Sequence, residues 1–275
     1  MEGNMTLSIA WIRKINDCEE LIIASDSRLN GGGAIWDQCP KIIQFPRSDS
    51  AISFAGNTLY TYPFLMQISN AIQYYHRSQS RAMDLHDLRG HLINVINDIH
   101  DKISFTVPNL TITSELHDTE FILGGYSWAR KKFSFWRIHY DKHLSKFTYS
   151  TSMKLGNFGE IIFAGDQAKA GKKQLVDLLL KRNNNNLMDA NISGFDLEPF
   201  EALTQLLSQS KSEGTIGGPP QIVKVYQHMN CRPLGVYWPN KKNGKPTVMG
   251  RTLFNNEDSD LWFIDPITLK TEKRT

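Results

Sequence analysis

The chain has 275 residues, 40% of them apolar and 21% charged, an ordinary balance for a globular protein with a core of useful size. A net charge of +3 makes no electrostatic case for nucleic acid, and with no run of about 18 apolar residues the sequence predicts no membrane span. The N-terminus lacks a basic stretch leading into an apolar one, so no signal peptide is expected, and Cys18, Cys39 and Cys231 are too scattered for a zinc site or a disulfide framework; a cytoplasmic protein with reduced thiols follows.

Residues 6–12 and 20–24 read as two strands joined by the polar "RKINDC", a loop longer than the tightest hairpin turn. The glycines at 31–33 break the chain. Residues 41–45 and 51–55 read as a second hairpin turned by "PRSDS". Apolar residues then recur every three to four positions over 57–79, with Pro63 early enough to be tolerated, and again over 84–104, predicting two helices. "EFILGGYS", "KFSFWRIHY" and "KFTYSTSM" form a third block of strands. "EIIFAGDQ" leads into a helix ending near Leu180, and another helix is expected over 196–209. "QIVKVYQ" and "PLGVYW" are late strands. In the tail, "PTVMGRTLF" and "LWFIDPITL" suggest an extra hairpin, and "KTEKRT" reads as frayed. Segregated blocks of strands and helices predict an α+β fold with antiparallel sheets.

Two superficial motifs fail on spacing. "GDQAKAGKK" (165–173) has one residue too many between its glycines for a phosphate-binding loop, and Lys173 stands where Ser or Thr should follow the lysine. His86, His91 and His100 are spaced so that they do not stack on one helix face, which argues against a metal site.

One set of residues carries chemistry. Thr6, "ASDSR" (24–28), the lysine of "CPKII" (Lys41) and "SFAGNT" (53–58) together resemble the proteasome β-subunit family of N-terminal-nucleophile (Ntn) hydrolases. "FILGGYS", "IIFAGDQAKAG" and "TIGGPPQIVKVY" look like later strand and helix starts of the same family, so the resemblance spans roughly residues 5–238. It implies a four-layer αββα sandwich, two antiparallel sheets face to face with a helix pair on each outside. It also implies assembly into homo-oligomers, as rings or stacks. The domain expectation is a single Ntn-hydrolase-like unit over 1–240, with residues 1–5 absent or removed, and a C-terminal extension over 241–275.

The resemblance assigns roles. Thr6 is the expected nucleophile. Its own α-amino group, with a pKa near 8, can take the hydroxyl proton only if residue 6 is the mature N-terminus. The second methionine, Met5, supplies one route to that state and autocatalytic loss of "MEGNM" a second. Lys41 is expected beside the threonine, where an ammonium stabilises developing negative charge, and Asp26 is expected to hold the lysine. Gly56 is expected to offer a backbone N–H to the oxyanion. Arg28 is expected to support loops. Two departures stand out: Ala164 and Ile216 occupy positions where the family carries serines, with Ser212, Glu213 and Thr215 nearby as supporting candidates. The expectation is therefore an N-terminal-threonine hydrolase acting on a peptide or small amide through an acyl-enzyme, with no metal or organic cofactor, no nucleic acid and no membrane. The alternatives are a catalytically inactive subunit serving assembly and a small-molecule amidase of the same fold.

Overall fold

Strand β1 (Ser8–Ile15) and strand β2 (Cys18–Ser25) pair antiparallel from Ser8↔Ser25 to Ile15↔Cys18. The computed structural model describes residues 6–16, 18–31, 33–104, 114–189, 191–211 and 214–274. Of the polar run expected to form a loop, residues 13–15 and Cys18 instead extend the hairpin. Arg13 faces Glu20 across the strands at 2.9 Å, and that pairing of opposite charges favours the extension. The glycine run does not simply break the chain either: Gly31 ends β3 (Leu29–Gly31), which pairs with β4 (Ala34–Trp36) as a short ribbon, and Gly33 takes a positive φ of 78° just before β4.

The second hairpin forms as expected, β5 (Ile42–Gln44) with β6 (Ser50–Ala55). Helix α1 (Thr58–Gln73) starts on Asn57, whose side chain accepts the Leu59 N–H. It stops earlier than the apolar period suggests, and a separate short helix α2 (His76–Gln79) follows. Helix α3 (Leu85–Asp101) is capped by Asp84, and α4 (Ser114–His117) is a single turn. Strands β7 (Glu120–Ser127), β8 (Lys132–Asp141) and β9 (Lys146–Thr151) complete a five-stranded antiparallel sheet of order β5-β6-β7-β8-β9.

"KFTYSTSM" is not one strand. After Ser152 the chain leaves the five-stranded sheet, and β10 (Met153–Leu155) joins the larger sheet beside β11 (Gly159–Ala164). That sheet runs β10-β11-β1-β2 and continues into β12 (Gln221–Tyr226) and β13 (Cys231–Trp238). Helices α5 (Ala168–Arg182) and α6 (Glu198–Gln209) lie between β11 and β12 in the chain.

The tail adds more than one hairpin. Strand β14 (Lys245–Val248) pairs with β13 and with β15 (Arg251–Thr252). Strand β16 (Trp262–Ile264) lies parallel to β13, an exception to the antiparallel expectation. The run read as frayed pairs with it as β17 (Thr271–Lys273), and Lys273 reaches Asp260 at 2.6 Å.

Three apolar clusters fix the packing. Leu175 and Leu179 of α5 and Phe200, Leu203 and Leu207 of α6 meet Ile9, Trp11 and Ile22 on one face of the large sheet. Ala10, Leu21, Ile23 and Val223 on its other face meet Ile42, Ile122 and Phe135 of the five-stranded sheet. Phe64 and Ile68 of α1 and Leu88 and Leu92 of α3 cover the far side of that sheet against Phe54, Phe121 and Ile138. Each valine, leucine, isoleucine or phenylalanine among them contributes about 1.5–3 kcal/mol on full burial. Trp11 also donates its indole N–H to the Asp196 carbonyl at 2.9 Å, so its one polar atom is satisfied inside. The fold is thus α+β, but the described residues form three sheets rather than the expected two, the third being the β3–β4 ribbon.

Candidate active site

The register of the large sheet brings distant residues to one point. Because Ser8 pairs with both Ser25 and Ala164, the residues just beyond those strand ends, Thr6, Asp26 and the 165–167 turn, converge. Thr6 is buried, at 2% exposure. Lys41 immediately precedes β5 on the opposite sheet and extends between the sheets, fully buried.

Lys41 Nζ lies 2.8 Å from Thr6 Oγ1 and 3.0 and 3.1 Å from the two carboxylate oxygens of Asp26. Asp26 also accepts from the backbone N–H groups of Leu7 at 3.2 Å, Arg28 at 3.1 Å and Gly217 at 3.4 Å. Burial pushes the Asp26 carboxyl up, opposed by Lys41. Burial pushes the Lys41 ammonium down, opposed by Asp26 and then by Asp166. The backbone donors on Asp26 favour its anion, and that anion holds the Lys41 ammonium against the effect of burial.

Two residues not singled out from the sequence complete the cluster. Asp166 Oδ1 accepts the Thr6 backbone N–H at 2.7 Å. Ala164, where the resemblance implies a serine, is the buried end of β11, and a carboxylate two positions on reaches Thr6 instead. Gln221, at the start of β12, ties the elements together. Its Nε2 donates to the carbonyls of Asp26 at 3.2 Å and Cys39 at 2.7 Å, and its Oε1 accepts the Lys41 N–H at 3.0 Å.

Gly165 closes the floor. It holds φ at +96°, and a Cβ there would collide with the Thr6 carbonyl oxygen. Its N–H donates to Glu120 Oε2 at 3.0 Å, a cross-sheet tie.

The remaining expected residues are spread out. Arg28 grips Asp37 through two nitrogens at 2.6 and 2.8 Å and donates to the carbonyls of Lys211 and Gly214, a loop clamp. Ile216 is buried in the core under α6. Thr215 lines an open cleft of about 700 Å³ with Gln167 and Lys211, and among the described residues it makes no hydrogen bond to Thr6, Asp26 or Lys41. Gly56 follows β6 with φ at +124° and packs against Thr119. Met5, Ser212 and Glu213 lie outside the described residues. The helix histidines separate: His86 sits edge-on to Trp136, His91 against Tyr75, and His100 against Tyr140 and Phe147.

No protein-family model matches the chain, and no curated protein sequence matches it. Solved structures do. Anbu, as a Gly-1 mutant from Hyphomicrobium sp. strain MC1, matches with a TM-score of 0.56 at 16% identity, covering 83% of this chain and 86% of that one. Anbu, described as an ancestral β-subunit, from Yersinia bercovieri matches with a TM-score of 0.54 at 14% identity, covering 82% and 86%. The Anbu complex of Pseudomonas aeruginosa, solved as a helical assembly, matches with a TM-score of 0.57 at 16% identity, covering 91% and 88%. At such identities the likeness establishes a proteasome-like fold and nothing finer. It also corrects the family read from the sequence: the neighbours are Anbu proteins, a family distinct from the proteasome β-subunits that the motifs resemble.

Proposed function

We propose that this protein is an N-terminal-threonine hydrolase of amide or peptide bonds. The observation that carries the reading is the buried contact of Lys41 Nζ with Thr6 Oγ1 at 2.8 Å. Thr6 Oγ attacks the carbonyl carbon of the substrate while its proton passes to Lys41, whose burial favours the neutral amine. The amide nitrogen leaves with a proton, and water hydrolyses the resulting threonyl ester. Gly56 is retained as an oxyanion donor.

The sequence reading gave the base role to the α-amino group of Thr6. Asp166 supports a different division of labour. Once residues 1–5 are removed, a carboxylate at this position holds the new amine as an ammonium. That leaves Lys41 to accept the hydroxyl proton and the ammonium to donate to the leaving group. Asp26 and Gln221 position Lys41, and Arg28 shapes the loops around them.

The three apolar clusters support a four-layer αββα arrangement. Residues 1–240 then form the hydrolase unit, with 241–275 an extension added at β13. The helical assembly of the P. aeruginosa Anbu complex supports a homo-oligomer. The unpaired state of Cys18, Cys39 and Cys231 is in keeping with a cytoplasmic protein. Among the described residues no helix is long and apolar enough to cross a membrane.

A second reading, a silent subunit serving assembly, is favoured by Ile216, which puts an apolar side chain in the core where the motif resemblance implies a serine. The two are separated by a panel of acyl-peptide aminocoumarin amides and small anilides: release of the amine that is lost in Thr6→Ala supports the hydrolase, and no release across the panel by a chain verified to begin at Thr6 supports the silent subunit.

A further inference from the structure

A second cavity opens at the side of the molecule where the edge strand β9 of one sheet and the edge strand β10 of the other come together. It encloses about 360 Å³, within the range of small-molecule sites. It is displaced along β1 from Thr6, since the β11 residues in its wall pair with Ile9 to Trp11.

Its charge is one-sided. Arg137 of β8 and Lys169 and Lys172 of α5 line it, and no carboxylate does. Among the described residues the side chains of Lys169 and Lys172 meet no ion-pair or hydrogen-bond partner, and both are exposed. Both sit near the start of α5, whose first turn holds no acidic residue and whose N-cap, Gln167, makes no side-chain cap bond. Cations at the positive end of a helix dipole are placed unfavourably unless an anion joins them. Arg137 is under-used as well. Its guanidinium has one long contact, Nη2 to Glu120 Oε1 at 3.4 Å, while its Nε is shielded from solvent with no partner. A guanidinium can hold both oxygens of a carboxylate in a planar fork. Most of the remaining wall is apolar and includes Phe163 and Met153, with Ser150 and Thr151 also lining it.

We propose that this cavity binds a carboxylate borne on a short apolar stem, with Arg137, Lys169 and Lys172 around the anion and Phe163 and Met153 along the stem. A free aliphatic acid and the C-terminal carboxylate of a peptide share this chemistry. The site stands apart from the Thr6 chemistry and does not depend on it.

Isothermal titration of the full chain with hexanoate, with acetyl-Ala-Ala-Leu as the free acid, with hexanamide and with inorganic phosphate tests the proposal. At least one of the two acids should bind, and which one does identifies the source. Hexanamide should not bind. The double variant Lys169→Ala/Lys172→Ala removes only exposed side chains, so it should unfold at the same temperature as the parent and bind the acid about ten- to a hundredfold more weakly. Arg137→Gln should weaken binding likewise. Failure of both acids to bind, equal binding of hexanamide, tighter binding of phosphate than of either acid, or an unchanged affinity in the folded double variant would overturn the proposal.

Discussion

Lys41 Nζ and Thr6 Oγ1 are 2.8 Å apart in a space closed to solvent, although the two residues lead into strands of different sheets. The lysine crosses the interface between the sheets and meets Asp26 on the way, which balances its charge. Removing one partner of such a pair leaves the other as an uncompensated buried charge. Lys41→Ala is expected to lower unfolding free energy by about 3–5 kcal/mol, measurable by urea denaturation.

Burial lowers the Lys41 pKa from its ordinary 10.5. If Lys41 is the proton acceptor, the rate of Thr6 acylation rises with pH as Lys41 loses its proton, with a midpoint below that value. An arginine at the same position stays protonated throughout. The rate–pH profile of Lys41→Arg should therefore lack the rise and lie well below the parent at every pH. A parallel rise in the variant would transfer the base role elsewhere.

Asp166 is exposed on its outer side and contacts the Thr6 nitrogen at 2.7 Å. Asp166→Asn should cost little stability, within about 1 kcal/mol. On a chain beginning at Thr6 it should lower the pKa of the α-amine, because the anion that favours its charged form is gone. Titration of the isotopically labelled amine by NMR reads this directly, and an unmoved pKa would remove Asp166 from the mechanism.

Gly165→Ala puts a methyl group against the Thr6 carbonyl at a backbone φ of +96°. The strain alone is about 1–2 kcal/mol, and relief of the collision displaces residue 6. Loss of Thr6 reactivity out of proportion to a modest fall in melting temperature is the expected signature.

The cysteines should differ in reactivity. Burial pushes the Cys231 thiol up to about 12 and raises Cys39 as well, whereas Cys18 is exposed. Brief alkylation at pH 8 with peptide mapping should mark Cys18 first.

Thr6, Asp26 and Lys41 were legible in the sequence because short segments in a fixed order carry them. Asp166 was not. It lies 160 residues from Thr6, and only the antiparallel register of β1 with β11 decides that the acid, rather than Ala164, reaches Thr6. A shift of one residue would reverse which side chains face inward. Gln221 was hidden for the same reason, since its partners are 180 and 195 residues away. The α+β class was readable from the order of strand and helix patterns. The transfer of the chain from one sheet to the other at Ser152 was not, because "KFTYSTSM" keeps a strand composition on both sides of the switch. In the tail, charge misled: Lys273 and Glu272 read as a solvated end, yet each finds an opposite charge, Asp260 at 2.6 Å and Lys241 at 2.6 Å.

The proposed hydrolase requires Thr6 to become a free N-terminal nucleophile activated by Lys41. The most direct measurement treats purified full-length protein with a peptide epoxyketone, which links both the amine and the hydroxyl of an N-terminal threonine, and maps the adduct by mass spectrometry. One adduct on a fragment beginning at Thr6, absent in Thr6→Ala and strongly reduced in Lys41→Arg, is the expected result. A chain that retains residues 1–5 and takes up no probe, or that takes it up equally in Thr6→Ala, would contradict it.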